Sequence, residues 1–313
     1  MQSLHGLEGL RALPAGSVLS IGNYDGVHTG HEAILRAMRE VAGTAAVAVA
    51  TFEPHPLTVL RPELVPPRLT TLPIKARLLA DRGVTHLVTL PPTPEVLGLT
   101  AEDFWAILRD GARPSRIVEG QSFNFGRGRG GTIEKLIEWS AGTGIIVDRR
   151  PVHAVHIDEA DVIVSSSIVR SLLKEGQIED AVRCLGRPYE LEGEVVRGFE
   201  RGRTIGVPTA NLDCGPQLVP AEGVYAGYAE VAGRRHAVAL SIGSTPTFEQ
   251  RRAQVEAHLV DFSGDLYGRR LSVFVVARVR DQRKFESVDA LKSQLAEDIR
   301  TVRQIELAGG VAG

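Results

Sequence analysis

The chain has 313 residues, enough for two ordinary cores or one large one, and its 43% apolar and 24% charged residues are the balance of a soluble folded protein. Thirty-six Lys and Arg against 38 Asp and Glu leave a formal charge of -2, which excludes a broad basic face for duplex nucleic acid and leaves only local anion pockets. The only cysteines, Cys184 and Cys214, are too few for a disulfide scaffold or a thiolate zinc site, and no apolar run reaches the length of a membrane span.

Met1 to Arg11 mixes acidic and basic residues and lacks the apolar core of a signal peptide, so the expected address is cytoplasmic. Val18 to Ile21 predicts a short strand, His31 to Val41 has helical periodicity, and Ala45 to Thr51 suits a buried parallel strand. Pro73 to Asp81 predicts a helix that Gly83 stops ahead of a strand at Val84 to Leu90. Thr100 with Asp103 has the spacing of a capping box, opening a helix through Leu108. Ile117 to Glu119 and Gly144 to Val147 are further strand candidates, with a helix from Thr132 to Trp139 between them. Such alternation predicts an α/β unit, a doubly wound parallel sheet with its ligand site beyond the C-terminal ends of the strands.

Helical stretches at Ser167 to Glu175 and Glu179 to Leu185 precede a change of pattern at Gly186, Arg187 and Pro188. Short strand-like runs follow, at Glu190 to Val196, Val224 to Val231, Ala237 to Ile242, Val255 to Val260 and Leu271 to Val279. Without long helices between them they favour an antiparallel β-barrel, and Ser287 to Leu307 reads as a terminal helix. The expected domains are 1–185 and 186–313.

Ile21-Gly-Asn-Tyr-Asp-Gly-Val-His-Thr-Gly-His31 leaves the first apolar strand and enters a helix. Gly22, Gly26 and Gly30 let the backbone turn near a ligand, and a helix start offers free amides to phosphate. His28 and His31, three apart, can point into one pocket as an anion clamp. The zinc alternative lacks third and fourth ligands nearby. His55, in Thr51-Phe-Glu-Pro-His-Pro56, either joins that pocket or serves a turn enforced by Pro54 and Pro56. In Val164-Ser-Ser-Ser-Ile-Val-Arg170 the hydroxyls either cap a helix or grip phosphate oxygens, with Arg170 facing the same anion. In Glu119-Gly-Gln-Ser-Phe-Asn-Phe-Gly126, Phe123 and Phe125 alternate, so one enters the core and the other is placed to stack on a planar ligand.

The second half carries Gly198-Phe-Glu-Arg-Gly-Arg-Thr-Ile-Gly-Val-Pro-Thr-Ala-Asn211. Gly198, Gly202 and Gly206 permit a flap over phosphates, Arg203 helps to hold it, and Pro208 stiffens the turn that follows. Thr209 and Asn211 offer two oxygens suited to Mg²⁺ shared with nucleotide phosphates, although a plain turn also explains them. Glu256, on a predicted strand, supplies a carboxylate to take an alcohol's proton, with Asp261 and Asp265 as alternatives.

These residues resemble the family of bacterial bifunctional riboflavin kinase/FMN adenylyltransferases, or FAD synthetases. The resemblance rests on Gly22 to His31, Thr51 to Pro56, Ser165 to Arg170, Gly206 to Asn211 and Asp265 to Gly268, five motifs in one order across both halves. It implies a nucleotidyltransferase-like sheet followed by a flavokinase-like barrel, with Mg²⁺, ATP as co-substrate, and riboflavin, FMN and FAD as substrates or products. By the same resemblance His28 and His31 stabilise adenylyl transfer, with Gly22, Asn23, Asp25, Gly26, His55, Ser165, Ser166 and Arg170 around the nucleotide. Ser122, Phe123, Asn124 and Phe125 contact flavin or nucleotide. Gly198, Arg203, Gly206, Pro208, Thr209 and Asn211 hold Mg·ATP, and Glu256 is the kinase base. Ser122 stands where the family commonly has Asp or Asn, Val207 stands where Phe is common, and Ser241 to Phe248 departs from the usual Asn-Ile-Gly-x-Asn-Pro-Thr-Phe. The implied partners are small molecules, not nucleic acid or membrane. A monomer is the default, with self-association left open. The alternatives are a single active domain, another small phosphate compound as the adenylylated substrate, or a flavin-responsive binding module without turnover.

Overall fold

Strands with apolar residues on both faces need cover on both sides, and the computed structural model, which describes residues 1–198, 206–246 and 251–308, supplies it with helices. The first unit comprises Met1–Pro66 and Thr70–Ser165. Its elements are β1 (Gln2–His5), α1 (Gly6–Arg11), β2 (Val18–Ile21), α2 (Thr29–Ala42), β3 (Val47–Phe52), α3 (Leu57–Leu60), α4 (Leu72–Asp81) and β4 (His86–Leu90). Then come α5 (Pro94–Gly98), α6 (Ala101–Ala106), β5 (Arg116–Gly120), β6 (Asn124–Phe125), β7 (Gly131–Thr132), α7 (Ile133–Ser140), β8 (Ile146–Arg150), β9 (Ala154–Ile157) and β10 (Ala160–Ile163).

One parallel sheet runs in the order β1-β4-β3-β2-β5-β8. Chain order reverses between β2 and β5, so the crevice expected of a doubly wound sheet lies beyond the C-terminal ends of that pair. Leu19, Ile21, Ala50 and Ile117 face Leu10, Phe104 and Leu136 of α1, α6 and α7. Val18, Val49 and Val118 face Leu35 and Met38 of α2 and Ile74 and Leu78 of α4. Burying each such Leu contributes about 1.5–3 kcal/mol, which makes neighbouring residues on one strand hold opposite helical layers.

The capping box forms: Asp103 N–H donates to Thr100 Oγ1 at 3.1 Å, and Thr100 N–H to the Asp103 carboxylate at 3.4 Å. The helix it opens is α-helical to Ala106 and then continues as a π-helical turn, Ile107–Ala112, past the expected end at Leu108. Gln2–His5, unmarked by apolar periodicity, becomes an edge strand because β4 offers a parallel partner.

The second unit comprises Pro67–Leu69 and Ser166–Gly313. It holds α8 (Ser166–Glu175), α9 (Ile178–Leu185), β11 (Tyr189–Val196), β12 (Ala210–Asp213), β13 (Gly223–Val231), β14 (Arg234–Pro246), β15 (Arg251–Leu259), β16 (Arg270–Arg280) and α10 (Val288–Ala308). Among the described residues the strands close an antiparallel barrel in the order β11-β12-β15-β14-β13-β16. The terminal helix α10 sets Ile299 and Val302 on Ala226, Ala237 and Val260. It is also fastened by charge. Arg280 meets the buried Asp298 through two nitrogens, Nε to Oδ1 at 3.0 Å and Nη2 to Oδ2 at 2.7 Å, and Gln294 donates to the same carboxylate at 2.8 Å.

Removing one partner of a buried pair strands the other charge, whereas replacing both with apolar groups removes the desolvation cost as well. Asp298→Ala is therefore expected to cost about 3 kcal/mol and lower the barrel's thermal midpoint by roughly 10 °C. The double variant Arg280→Met with Asp298→Leu is expected to recover most of that loss in the same calorimetric scan. A double variant as unstable as the single one would contradict this account of the helix anchor.

Candidate functional site

In the first unit the loop after β2 crosses the crevice. Gly22 N–H still bonds to Ala50 O of β3 at 2.9 Å, after which the chain takes three left-handed residues: Tyr24 (φ 47°), Gly26 (φ 84°) and Val27 (φ 40°). A β-branched residue in that region costs about 1–3 kcal/mol, and the complete burial of Val27 in the α2–α4 layer offsets it. Thr70 braces the bend: its N–H and hydroxyl donate to Asp25 Oδ1 at 3.0 and 3.2 Å, and its Oγ1 accepts from Gly26 N–H at 3.1 Å. Asp25 is thus buried as a loop brace, held by a residue 45 positions away that no sequence motif marks.

The loop delivers His28 as the N-cap of α2. Its Nδ1 accepts from His31 N–H at 3.3 Å, which leaves Nε2 to carry the proton of the neutral ring. The His28 and His31 rings stack at 3.7 Å between centroids, and His31 lies 4.7 Å from the Tyr24 ring. Two imidazoles at the amide-rich start of a 14-residue helix form an anion-binding end. Asn23 reaches His55, whose Nε2 lies 3.3 Å from the Asn23 amide nitrogen while its Nδ1 accepts from Leu57 N–H at 3.1 Å. His55 therefore both joins the histidine loop and caps its own turn.

The chain returns to this helix start at the end of the β9–β10 hairpin. A Cβ on Gly30 would stand 3.6 Å from the Val164 carbonyl, which places the residue just before Ser165 against the clamp. Ser166 and Arg170 belong to the second unit, where Ser166 opens α8 and Arg170 Nε donates to Pro67 O at 2.8 Å.

The Gly120 to Phe125 loop leaves β5 on the other side of the crevice. Phe125 is the residue that enters the core, against Phe104 and edge-on to Trp139. Phe123 is partly buried and stacks on Phe125 at 5.5 Å. Asn124 Nδ2 donates to Ser122 O at 2.7 Å, and Asn124 pairs with Thr132 in the short β6–β7 hairpin.

In the barrel, Asn211 on β12 lies directly opposite Glu256 on β15, and Glu256 lies opposite Ser241 on β14. Gln254 Nε2 donates to Glu256 Oε1 at 2.5 Å and stands 3.4 Å from Asn211 Oδ1. His258 donates to Pro208 O at 2.8 Å. Gln254, Glu256 and His258 form a half-buried row that alternates with the buried Val255, Ala257 and Leu259. Gln254 and His258 went unnoticed in the sequence, although their two-residue spacing from Glu256 puts them on its face of the strand.

A Cβ on Gly198 would meet the Asn211 amide nitrogen at 2.3 Å, so a larger residue there would have to turn that amide aside. Gly198, Asn211 and Gln254 line a cavity of about 660 Å³. Pro208, Thr209, Asp265 and Tyr267 line a second cavity of about 560 Å³. Thr209 and Asn211 thus contribute to different cavities, Thr209 ahead of β12 and Asn211 within it. Gly206 is a left-handed turn residue at φ 83°, and Arg203 lies outside the described residues. Neither alternative carboxylate is placed like Glu256: Asp261 pairs with Arg303 of α10 at 2.8 Å, and Asp265 accepts from Tyr267 N–H at 2.9 Å within a turn.

Comparison with known proteins also divides the chain in two. A family model for FAD synthetase matches residues 10–167, and one for riboflavin kinase matches residues 185–306. The bifunctional riboflavin kinase/FMN adenylyltransferase of Escherichia coli strain K12 is 36% identical over 309 residues, 97% of each chain. The protein of that description from Pseudomonas fluorescens is 36% identical over 97% of this chain and 98% of its own, and that from Bacillus subtilis 32% over 91% and 90%. A crystal structure described as a macrolide-efflux protein from Streptococcus pneumoniae has a TM-score of 0.86 and 31% identity, covering 97% of this chain and 99% of that one. In this chain no helix among the described residues is long and apolar enough to cross a membrane. With relatives this similar over nearly their whole length, and one family model for each half, the chain belongs to the bifunctional riboflavin kinase/FMN adenylyltransferase family.

Proposed function

We propose that the barrel phosphorylates riboflavin with ATP to give FMN and ADP, and that the parallel-sheet unit adenylylates FMN with ATP to give FAD and pyrophosphate. One contrast carries the reading: stacked imidazoles at a helix N-terminus in one unit, a carboxylate set opposite an amide in the other. The proposed catalytic domains remain 1–185 and 186–313, supported by the kinase match beginning at residue 185. The proposal includes a monomeric, cytoplasmic enzyme with small-molecule partners.

In the kinase reaction the 5′-hydroxyl of riboflavin attacks the γ-phosphorus as the bond to ADP breaks. An alcohol at neutral pH needs a proton acceptor, and Glu256 takes that proton while Gln254 holds its carboxylate. Thr209, just ahead of β12, and Asn211, within it, are the neutral oxygens proposed for Mg²⁺, the donor type it accepts alongside phosphates, although they line neighbouring cavities, and the missing Cβ at Gly198 leaves the Asn211 amide room. Bound there, Mg²⁺ would neutralise phosphate charge during transfer.

In the adenylyl transfer an oxygen of the FMN phosphate attacks the α-phosphorus of ATP and pyrophosphate leaves. That nucleophile is already an anion, so no base is required and charge stabilisation is the chief demand. The Nε2–H of His28, the His31 ring and the first amides of α2 are the donors that meet it. Ser165 completes the proposed phosphate contacts within this unit, and Phe123 is the ring proposed to border the planar ligand.

Incubation with riboflavin and Mg·ATP, followed by chromatography of FMN, FAD, ADP and pyrophosphate, tests both reactions. His28→Ala is expected to slow FAD formation roughly a hundredfold, about 3 kcal/mol, with FMN formation nearly intact. Equal loss of both activities in a folded variant would contradict separate sites. Glu256→Ala is expected to reduce FMN-forming turnover by about 10²–10⁴ while FMN supplied directly is still converted to FAD. Unchanged riboflavin phosphorylation would remove Glu256 from its assigned role.

A further inference from the structure

Strands β2 and β5 are paired only as far as Leu19 and Ile117. Beyond that register the strands part, and backbone groups facing the gap lose their ladder partners. Glu119 fills the gap. Its Oε1 accepts from Ile21 N–H at 2.5 Å and from the Ser20 hydroxyl at 3.1 Å, and Ser20 Oγ in turn accepts from the Tyr24 hydroxyl at 2.6 Å. Tyr24 then touches the clamp through His31, 4.7 Å between ring centroids, and His31 stacks on His28. The contacts form one continuous route from the bottom of the crevice to the imidazoles, with Glu119 3% exposed and Ser20 fully buried.

We propose that Glu119 is a positioning residue for the histidine clamp, holding the exit of β2 through Ile21 and Ser20 and setting the His31 ring through Tyr24. The inference rests on the adenylyl-transfer reading of this site. Every proton in the route points toward the carboxyl: the phenol donates to the serine, and the serine donates to Glu119. Burial pushes the Glu119 acid up to about 8, against the pull of its bonds to Ile21 and Ser20, and the same burial raises the Tyr24 phenol. Arg149 of β8 is level with Glu119 in the ladder, but its guanidinium pairs with Glu134 of α7 at 3.6 Å. Among the described residues no cation is paired with Glu119. The acid is therefore held chiefly neutral near pH 7, and as pH rises through about 8 it becomes a buried anion, which the Ile21 and Ser20 donors only partly compensate and which favours opening of the crevice toward water.

The folded chain holds this proton more tightly than the unfolded chain between pH 4.5 and about 8, so stability falls as pH rises through that window. Glu119→Gln keeps an oxygen acceptor and cannot ionise. Two measurements on the full chain between pH 7 and 9.5 test the proposal: the ring-proton NMR shifts of His28 and His31, and the rate of FMN adenylylation. The parent is expected to show a shift transition near pH 8 and about a tenfold fall in adenylylation between pH 7 and 9, both absent in Glu119→Gln. Riboflavin phosphorylation should follow one pH profile in parent and variant. Identical imidazole transitions in both proteins, or none in the parent, would overturn the role of Glu119. Imidazole transitions that vanish in Glu119→Gln, in a protein that makes no FAD at any pH, would uphold the coupling and reject the adenylyl-transfer reading instead.

Discussion

Parallel strands that stop pairing at Leu19 and Ile117 leave backbone donors without a ladder, and the Glu119 side chain reaches across to answer that need. A side chain of β5 satisfies the Ile21 amide on that side, while on the other side the loop that leaves β2 stays bonded to β3 through Gly22. Left-handed Tyr24 and Val27 are tolerated because Thr70 ties down the bend between them and Val27 is fully buried. The result is a helix start whose first turn presents two rings in a fixed stack. Preorganised donors of this kind stabilise charge without having to reorganise at the moment of reaction.

The barrel solves a different problem with different material. Closure leaves no free edge, so polar residues can sit at fixed register on neighbouring strands, Asn211 opposite Glu256 and Glu256 opposite Ser241. A carboxylate placed by register needs little else to hold it, and Gln254 two residues away supplies the remaining contact. One unit thus places two imidazoles at a helix start by a strained loop, and the other places a carboxylate by a regular ladder. That division matches the chemistry proposed for each, since a phosphate nucleophile needs charge stabilisation and an alcohol needs proton removal.

Much of this was legible in the sequence where a local rule applies. Val18 to Ile21, the Thr100–Asp103 box and the Gly186 stop were readable from apolar runs, capping spacing and glycine. The edge strand Gln2–His5 was not, because its burial pattern is mostly exposed and only β4 makes it a strand. Asn211 looked like part of a turn, yet it belongs to β12, whose partners β11 and β15 lie far along the chain. Thr70 and Glu119 were invisible as site residues for the same reason. Their importance comes from where distant strands diverge, and a single chain read in order does not display that.

The central claim is that the two halves act on different phosphorus atoms of ATP. Parallel incubations of the parent protein with riboflavin and ATP labelled at either the γ- or the α-phosphorus, followed by separation of the flavins, test it most directly. Label from the γ-position is predicted in FMN and in FAD, and label from the α-position in FAD alone. FAD without α-label, or FMN without γ-label, would contradict the account.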